Sequence, residues 1–138
     1  MAIKHEIRTG RHCVFDLHVH LVFVTKYRRD VFTDEVLVGM ERIISEVCDK
    51  MEASLEEFNG EDDHIHCMIV YPPKLSVSQL VNSLKGASSR RIRRAFPWMK
   101  KKYWKDVLWS RSYFAASCGG APLSIIAEYI QEQRRPSV

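Results

Sequence analysis

Across residues 12–25, Cys13, Phe15, Leu17, Val19, Leu21 and Phe23 fall on alternate positions. A period of two puts them on one face of a long strand, which the charged run Lys26-Tyr27-Arg28-Arg29-Asp30 closes. From Asp34 to Lys50 the period lengthens. Val36, Leu37, Met40, Ile43, Ile44 and Val47 recur at helical spacing behind Thr33 or Asp34 as N-cap. A strand around Ala53–Phe58 follows, and Asn59-Gly60 gives a hairpin signal because both residues tolerate positive φ. The next strand, about 63–71, stops at Pro72-Pro73. Ser76 caps a helix that runs through Val77, Leu80, Val81 and Leu84 towards Ile92, and Phe96-Pro97-Trp98 breaks it. Residues 109–118 read as a fourth strand ended by Gly119-Gly120. Pro122 then opens a last helix, about 121–134, where its missing N–H costs nothing. Leu123, Ile126, Ala127 and Ile130 form the packing stripe of that helix. The order β-α-β-β-α-β with a C-terminal helix predicts an α+β fold, a ferredoxin-like split βαβ antiparallel sheet.

At 138 residues the chain is long enough for one domain, 1–138, with a real core. Repeats, linkers and low-complexity segments are absent. No apolar run approaches the roughly 18–20 residues that span a bilayer, and the start Met1-Ala2-Ile3-Lys4-His5-Glu6 lacks a signal-like segment. A cytoplasmic protein is expected. Cys13, Cys48, Cys67 and Cys118 are scattered, as reduced thiols are, without zinc-knuckle spacing.

The net charge of +4 conceals an asymmetry. Residues 1–63 hold 8 Lys/Arg against 14 Asp/Glu, whereas residues 64–138 hold 13 against 3. Between 85 and 111 stand 10 Lys/Arg and one acid, interleaved with Phe96, Trp98, Tyr103, Trp104 and Trp109. Cations for phosphates and rings for base stacking suit a nucleic-acid surface. A plain solvated face is the competing reading. The candidate contacts are Lys26, Arg28, Arg29, Lys85, Arg90, Arg91, Arg93, Arg94, Lys100, Lys101 and Lys102.

Two His-x-His pairs are present, His18/His20 and His64/His66. On a strand, residues two apart share a face, so either pair presents two imidazoles able to hold a divalent ion with a third ligand from elsewhere. Spacing cannot choose between them. The acid cluster Glu61-Asp62-Asp63 and the turn before it favour His64/His66. Cys67 falls on the opposite strand face. On the last helix, Tyr129 and Gln133 are four apart and therefore stacked on one face. Taken alone, Tyr129 reads as an amphipathic-helix residue with its hydroxyl in water.

These segments also occur as a set. Asp63-His64-Ile65-His66-Cys67-Met68-Ile69, Tyr129-Ile130-Gln131-Glu132-Gln133, Leu84-Lys85-Gly86-Ala87-Ser88-Ser89, His20 to Arg28 and Leu108-Trp109-Ser110-Arg111-Ser112-Tyr113-Phe114 span nearly the whole chain. Together they resemble the single-tyrosine HUH (histidine, hydrophobic, histidine) transposases of the insertion sequence 200/605 family. The resemblance implies a ferredoxin-like sheet carrying the HUH strand, a homodimer with sites shared between subunits, and cleavage and rejoining of single-stranded DNA at hairpin-bearing element ends. It implies His64 and His66 as metal ligands, Gln133 as the third, and Tyr129 as nucleophile. His20 matches a position in the family's first strand that is not a ligand; His18 has no match. Imidazole and oxygen ligation suits Mg2+ or Mn2+, while zinc could also occupy it. A domesticated relative acting on repeated chromosomal hairpins would keep the same chemistry. A non-catalytic RNA-binding module is a different class, but the RNP signature is missing and such a module has no use for paired histidines. A zinc hydrolase would take His, Cys or a carboxylate rather than Gln as third ligand.

Overall fold

The computed structural model describes residues 8–9, 13–103, 105–117 and 123–133. Trp104, Cys118, Gly119, Gly120 and Pro122, along with the end of the expected last helix, lie outside the described residues. Four strands form the main sheet: β3 (His18–Val24), β4 (Ser54–Gly60), β5 (His64–Val70) and β6 (Phe114–Ser117). Their order is β4-β5-β3-β6, with every neighbouring pair antiparallel. Helix α1 (Asp34–Lys50) links β3 to β4, α2 (Val77–Ala95) links β5 to β6, and α3 (Leu123–Glu132) comes last. This is the split βαβ plan. A small two-stranded sheet, β1 (Arg8–Thr9) with β2 (Val14–Phe15), precedes it.

The expected single strand over 12–25 is thus two pieces. Its partner explains the break: β5 ends at Val70, paired with His18, and Pro72-Pro73 offers no N–H to prolong the ladder. Past that point β2 turns to β1 instead. The expected strand over 109–118 also shortens. Trp109 keeps an isolated bridge to Thr25, and regular pairing resumes at Phe114.

Both long helices start with side-chain caps. The Thr33 hydroxyl accepts from Val36 N–H at 3.3 Å. Ser76 and Gln79 cap each other reciprocally, at 3.1 and 2.9 Å, satisfying two otherwise orphaned donors. Helices α1 and α2 pack on one sheet face, where Leu21, Phe23, Ile65 and Ile69 meet Met40, Ile44, Leu80 and Leu84, all fully buried. Each such side chain contributes about 1.5–3 kcal/mol on burial. Cys67 points into this core, away from the histidines, and burial pushes the Cys48 thiol up to about 12.

The expected Asn59-Gly60 turn lies inside β4, with Gly60 opposite Ile65. The chain reverses at residues 61–63, closed by Glu61 N–H to His64 C=O at 2.9 Å. The carbonyl of Asp62 accepts from Val31 and Phe32 at 2.8 and 3.0 Å, fastening the turn to the loop after β3. Gly60 serves close approach rather than reversal: a Cβ there would stand 2.6 Å from Leu37 Cδ2.

Helix α3 lies on the other sheet face. Ile126 is buried against Val22 and Val24, with Phe114, Tyr129 and Ile130 packed around them. Of the expected stripe, Ala127 is exposed and its place is taken by Tyr129. Strand β3 is consequently covered on both faces. No helix among the described residues is long and apolar enough to cross a membrane.

Candidate active site

The antiparallel register decides which imidazoles meet. Val24 pairs with His64, Val22 with His66 and His20 with Met68, so His20, His64 and His66 share the face that α3 covers. His66 Nε2 and His20 Nδ1 are 2.9 Å apart and hydrogen-bonded. In the tautomer where His66 Nε2–H donates to His20, Nδ1 of His66 is left for a ligand. His64 Nδ1–H donates to the Asp63 carboxylate at 2.8 Å, leaving Nε2. Each of the two rings is oriented by a partner and keeps one nitrogen for a ligand, as metal-binding histidines do. Burial, then the neighbouring His20, lowers the pKa of His66 and so favours the neutral ring, the form that ligates.

Asp63 is itself buried and faces a second partner, Arg28 Nε, at 3.4 Å. Tyr27 and Arg28 adopt φ of 60° and 52°, the left-handed region that non-glycine residues seldom enter. The strained turn brings the Arg28 guanidinium between Asp63 and the Gln131 side-chain oxygen Oε1, 3.5 Å away on α3. A cleft of about 450 Å3 opens here, lined by Arg28, Asp63, His64, His66, Ile126, Ile130 and Gln131.

His18 separates from this group. It sits at the far end of β3, almost buried, with Nδ1 3.1 Å from Asp16.

Tyr129 and Gln133 occupy the other flank of α3. The Tyr129 hydroxyl is not in open water: it lies 2.7 Å from Ser112 Oγ, and the ring packs on Phe114 with centroids 5.7 Å apart. Burial raises its pKa, and the Ser112 hydrogen bond opposes that rise. Gln133 Oε1 accepts from Ser110 Oγ at 3.0 Å and from Ser112 Oγ at 3.3 Å, while its Nε2 donates to the Tyr129 carbonyl at 3.2 Å. Phe114 pairs with Val22, which pairs with His66. The tyrosine side chain therefore docks two strand spacings from the histidines, about 10 Å across the sheet. The histidine pair and the tyrosine share one sheet face, but it is Gln131 rather than Gln133 that lines the histidine cleft.

The basic residues divide. Lys26 and Arg29 flank the Tyr27 ring beside the cleft. Arg90, Arg94, Lys100, Lys101 and Lys102 are exposed, the last over Trp98. Arg91 is ion-paired with Glu46, and Arg93 donates to the Ser89 carbonyl. Lys85 turns inward to backbone carbonyls. Helix α2, which carries residues 85–94, lies on the sheet face opposite the histidines. Sequence reasoning took the acids before His64 only as a flank and gave Ser110, Ser112 and Gln131 no role. The adjacency of Asp63 to His64 was the available signal; the serines lay in a quoted segment but acquire a role only through the fold.

A ferredoxin-like sheet with an imidazole pair on one face and a tyrosine-bearing helix packed on that face defines the class. The particular family follows from comparison. Residues 13–133 match the family model described as transposase, IS200-like. The ISDra2 transposase TnpA of Deinococcus radiodurans is 31% identical over 128 residues, covering 93% of this chain and 91% of the relative. The transposase for insertion sequence element IS200 of Salmonella typhimurium is 33% identical over 122 residues, covering 88% and 80%. The chain belongs to the IS200-like transposase family. Its fold superposes on a crystal structure of a candidate transposase from Deinococcus radiodurans R1 with a TM-score of 0.85 at 31% identity, covering 94% of this chain and all of that one. It also superposes on a REP-associated tyrosine transposase bound to a REP hairpin, with a TM-score of 0.54 at 11% identity, over 91% and 69% of the two chains. The second likeness is one of fold.

Proposed function

We propose that this transposase cleaves and rejoins single-stranded DNA at hairpin-bearing element ends, with Tyr129 as nucleophile. The observation that carries the reading is the shared sheet face: two ring nitrogens left free by Asp63 and His20, under a helix that presents a half-buried tyrosine hydroxyl. The donor set fits a divalent ion. His64 Nε2 and His66 Nδ1 would hold it, with Gln133 as the third ligand that the resemblance implies; Mg2+ or Mn2+ is the expected ion. When bound, such an ion would polarise a phosphate oxygen as a Lewis acid.

The chain's own residues do the rest. Arg28, at the cleft rim, neutralises phosphate charge. A bond from Tyr129 Oη to phosphorus forms as the bond to the 3′ oxygen breaks. The phenol proton leaves and the released 3′ oxygen takes one up. The 5′-phosphotyrosine keeps the bond energy, so a second 3′-OH reverses the step without ATP. Arg29, Lys26 and the exposed Arg90, Arg94, Lys100, Lys101 and Lys102 supply cations for the DNA track. The protein works as a homodimer. A helix of about a dozen residues is marginal alone and depends on a surface for its apolar stripe, and exchange of an identical element across a two-fold costs little. In this chain the helix is seated on its own sheet; exchanged across the two-fold onto the same face of the partner, it gives sites that combine the histidines of one subunit with the tyrosine of the other.

The test is adduct formation with labelled single-stranded DNA flanking the gene, in Mg2+ or Mn2+. Wild type forms a covalent protein–DNA adduct. Tyr129→Phe forms none and binds the DNA within about twofold of wild type, since binding rests on the cations. An adduct with the Phe variant would transfer the role to another residue, Tyr113 or Tyr103.

A further inference from the structure

By sequence Lys85 belongs to the basic run, yet its side chain is half-buried and aims inward from α2. Its ammonium stands 5.7 Å from the centre of the Phe23 ring. It donates to the carbonyls of Ser110, Arg111 and Ser112, at 2.5, 3.3 and 3.1 Å. An ammonium has three donors, and three consecutive carbonyls meet them. One turn further along α2, buried Ser88 accepts from Trp109 Nε1 at 3.0 Å. The segment 109–112 is thus tied to α2 at two levels. Between the Thr25–Trp109 bridge and Phe114 it has no regular ladder of its own, only Ser110 N–H to Val24 C=O at 2.8 Å.

The backbone that Lys85 gathers is the backbone whose side chains hold the catalytic helix. Ser112 Oγ meets the Tyr129 hydroxyl, and Ser110 and Ser112 both donate to Gln133. We propose that Lys85 is a positioning residue for the tyrosine helix, setting the two serine hydroxyls that seat Tyr129 and Gln133. The proposal rests on the reading of Tyr129 as nucleophile for its catalytic consequence, though not for its structural one. Lys85 does not touch DNA. A cation spent on three carbonyls inside the fold is not available to a phosphate, and Arg could reach the same carbonyls where Met could not.

The experiment uses the full-length protein and a labelled single-stranded oligonucleotide carrying the hairpin DNA next to its gene, in Mn2+. Single-turnover adduct formation at saturating DNA falls about tenfold in Lys85→Met, a cost of the kind that displaced reacting groups incur. Lys85→Arg restores it to within about threefold, and Kd and its salt slope stay unchanged in both. Ser112→Ala slows the reaction comparably, and the double variant Lys85→Met/Ser112→Ala is no slower than either single, because both cut one chain of contacts. Amide exchange over residues 124–133, read without DNA, accelerates in Lys85→Met and Ser112→Ala but not in Lys85→Arg. Weakened DNA binding with an unchanged rate would make Lys85 a DNA contact and overturn the proposal. So would additive losses in the double variant, or unaltered exchange over 124–133. If Lys85→Met fails to fold, Ser112→Ala and Lys85→Arg still decide it. Absence of an adduct from wild type would sink the catalytic reading of Tyr129 alone, and the exchange measurement would still judge Lys85.

Discussion

Asp63 is the residue on which the site's precision depends. One carboxylate oxygen fixes His64, the other faces Arg28, and its main-chain carbonyl accepts from both the amide and the hydroxyl of Thr25. The carboxylate holds the His64 tautomer that keeps Nε2 free; in metal sites generally, a partner of this kind contributes about 10–100-fold in affinity. Asp63→Asn should therefore weaken Mn2+ binding by about that factor, measured by calorimetric titration, while His64→Ala and His66→Ala abolish it. His18→Ala should leave it unchanged, because His18 turns to Asp16 at the far end of the strand. Equal losses from the 18 and 64 positions would undo this division of labour. The choice between the two pairs was beyond the spacing of the residues. Register adds what spacing lacks: pairing of Val22 with His66 brings His20 beside His66 and leaves His18 at the far end of β3.

At the scale of elements, much was readable because each long helix and the central strands have strong periodicity and local caps. Thr33 and Ser76 act as caps, and both helices begin where the sequence puts them. Ser76→Ala removes the hydroxyl that accepts from Gln79 N–H, leaves the bond from its own N–H to Gln79 Oε1, and should cost about 1 kcal/mol, seen as a lower urea midpoint with an unchanged slope. A changed slope would mean that the native state itself had loosened. The misread elements share one trait: the backbone partners that bound a strand or turn are decided by a distant segment, which either takes over a hydrogen bond or fails to supply one. Lys85 collects the carbonyls at 110–112, so the fourth strand starts late. The loop at Val31-Phe32 claims the Asp62 carbonyl, so the reversal falls after Asn59-Gly60. Pro72-Pro73 ends β5, and the first long strand loses its partner at His18. Alternation along the chain carries no mark of such distant claims.

For the whole molecule, the basic residues fall on two sides: Lys26, Arg28 and Arg29 stand at the histidine cleft, and the exposed cations of α2 and the following turn lie across the sheet from it. DNA that engages both groups, as proposed, would pass round an edge. Affinity for single-stranded hairpin DNA should fall with salt at about −0.7 in log K per log salt for each phosphate contact. Replacing exposed Arg90 and Arg94 should flatten that slope by roughly one unit or more. Arg91, paired with Glu46, should matter less, and an unaltered slope would place the track elsewhere. Assembly has its own test. His64→Ala and Tyr129→Phe subunits, each inactive, are mixed. Shared sites leave one intact centre in each heterodimer and restore cleavage; heterodimers that form without activity would assign each helix to its own subunit.

The strand order β4-β5-β3-β6 also sets a schedule. The middle strand is made early, and its last neighbour arrives late: Val19 waits for Ser117, about a hundred residues on, a closure whose entropy must be met before the pairing rewards it. The tyrosine helix is made later still. A ribosome has therefore joined His64, His66 and all of the α1 and α2 side of the sheet before Tyr129 is made. On the proposed mechanism, a growing chain would hold single-stranded DNA with its basic turn before it could cut it, because cutting would wait for the final strand to close on the first.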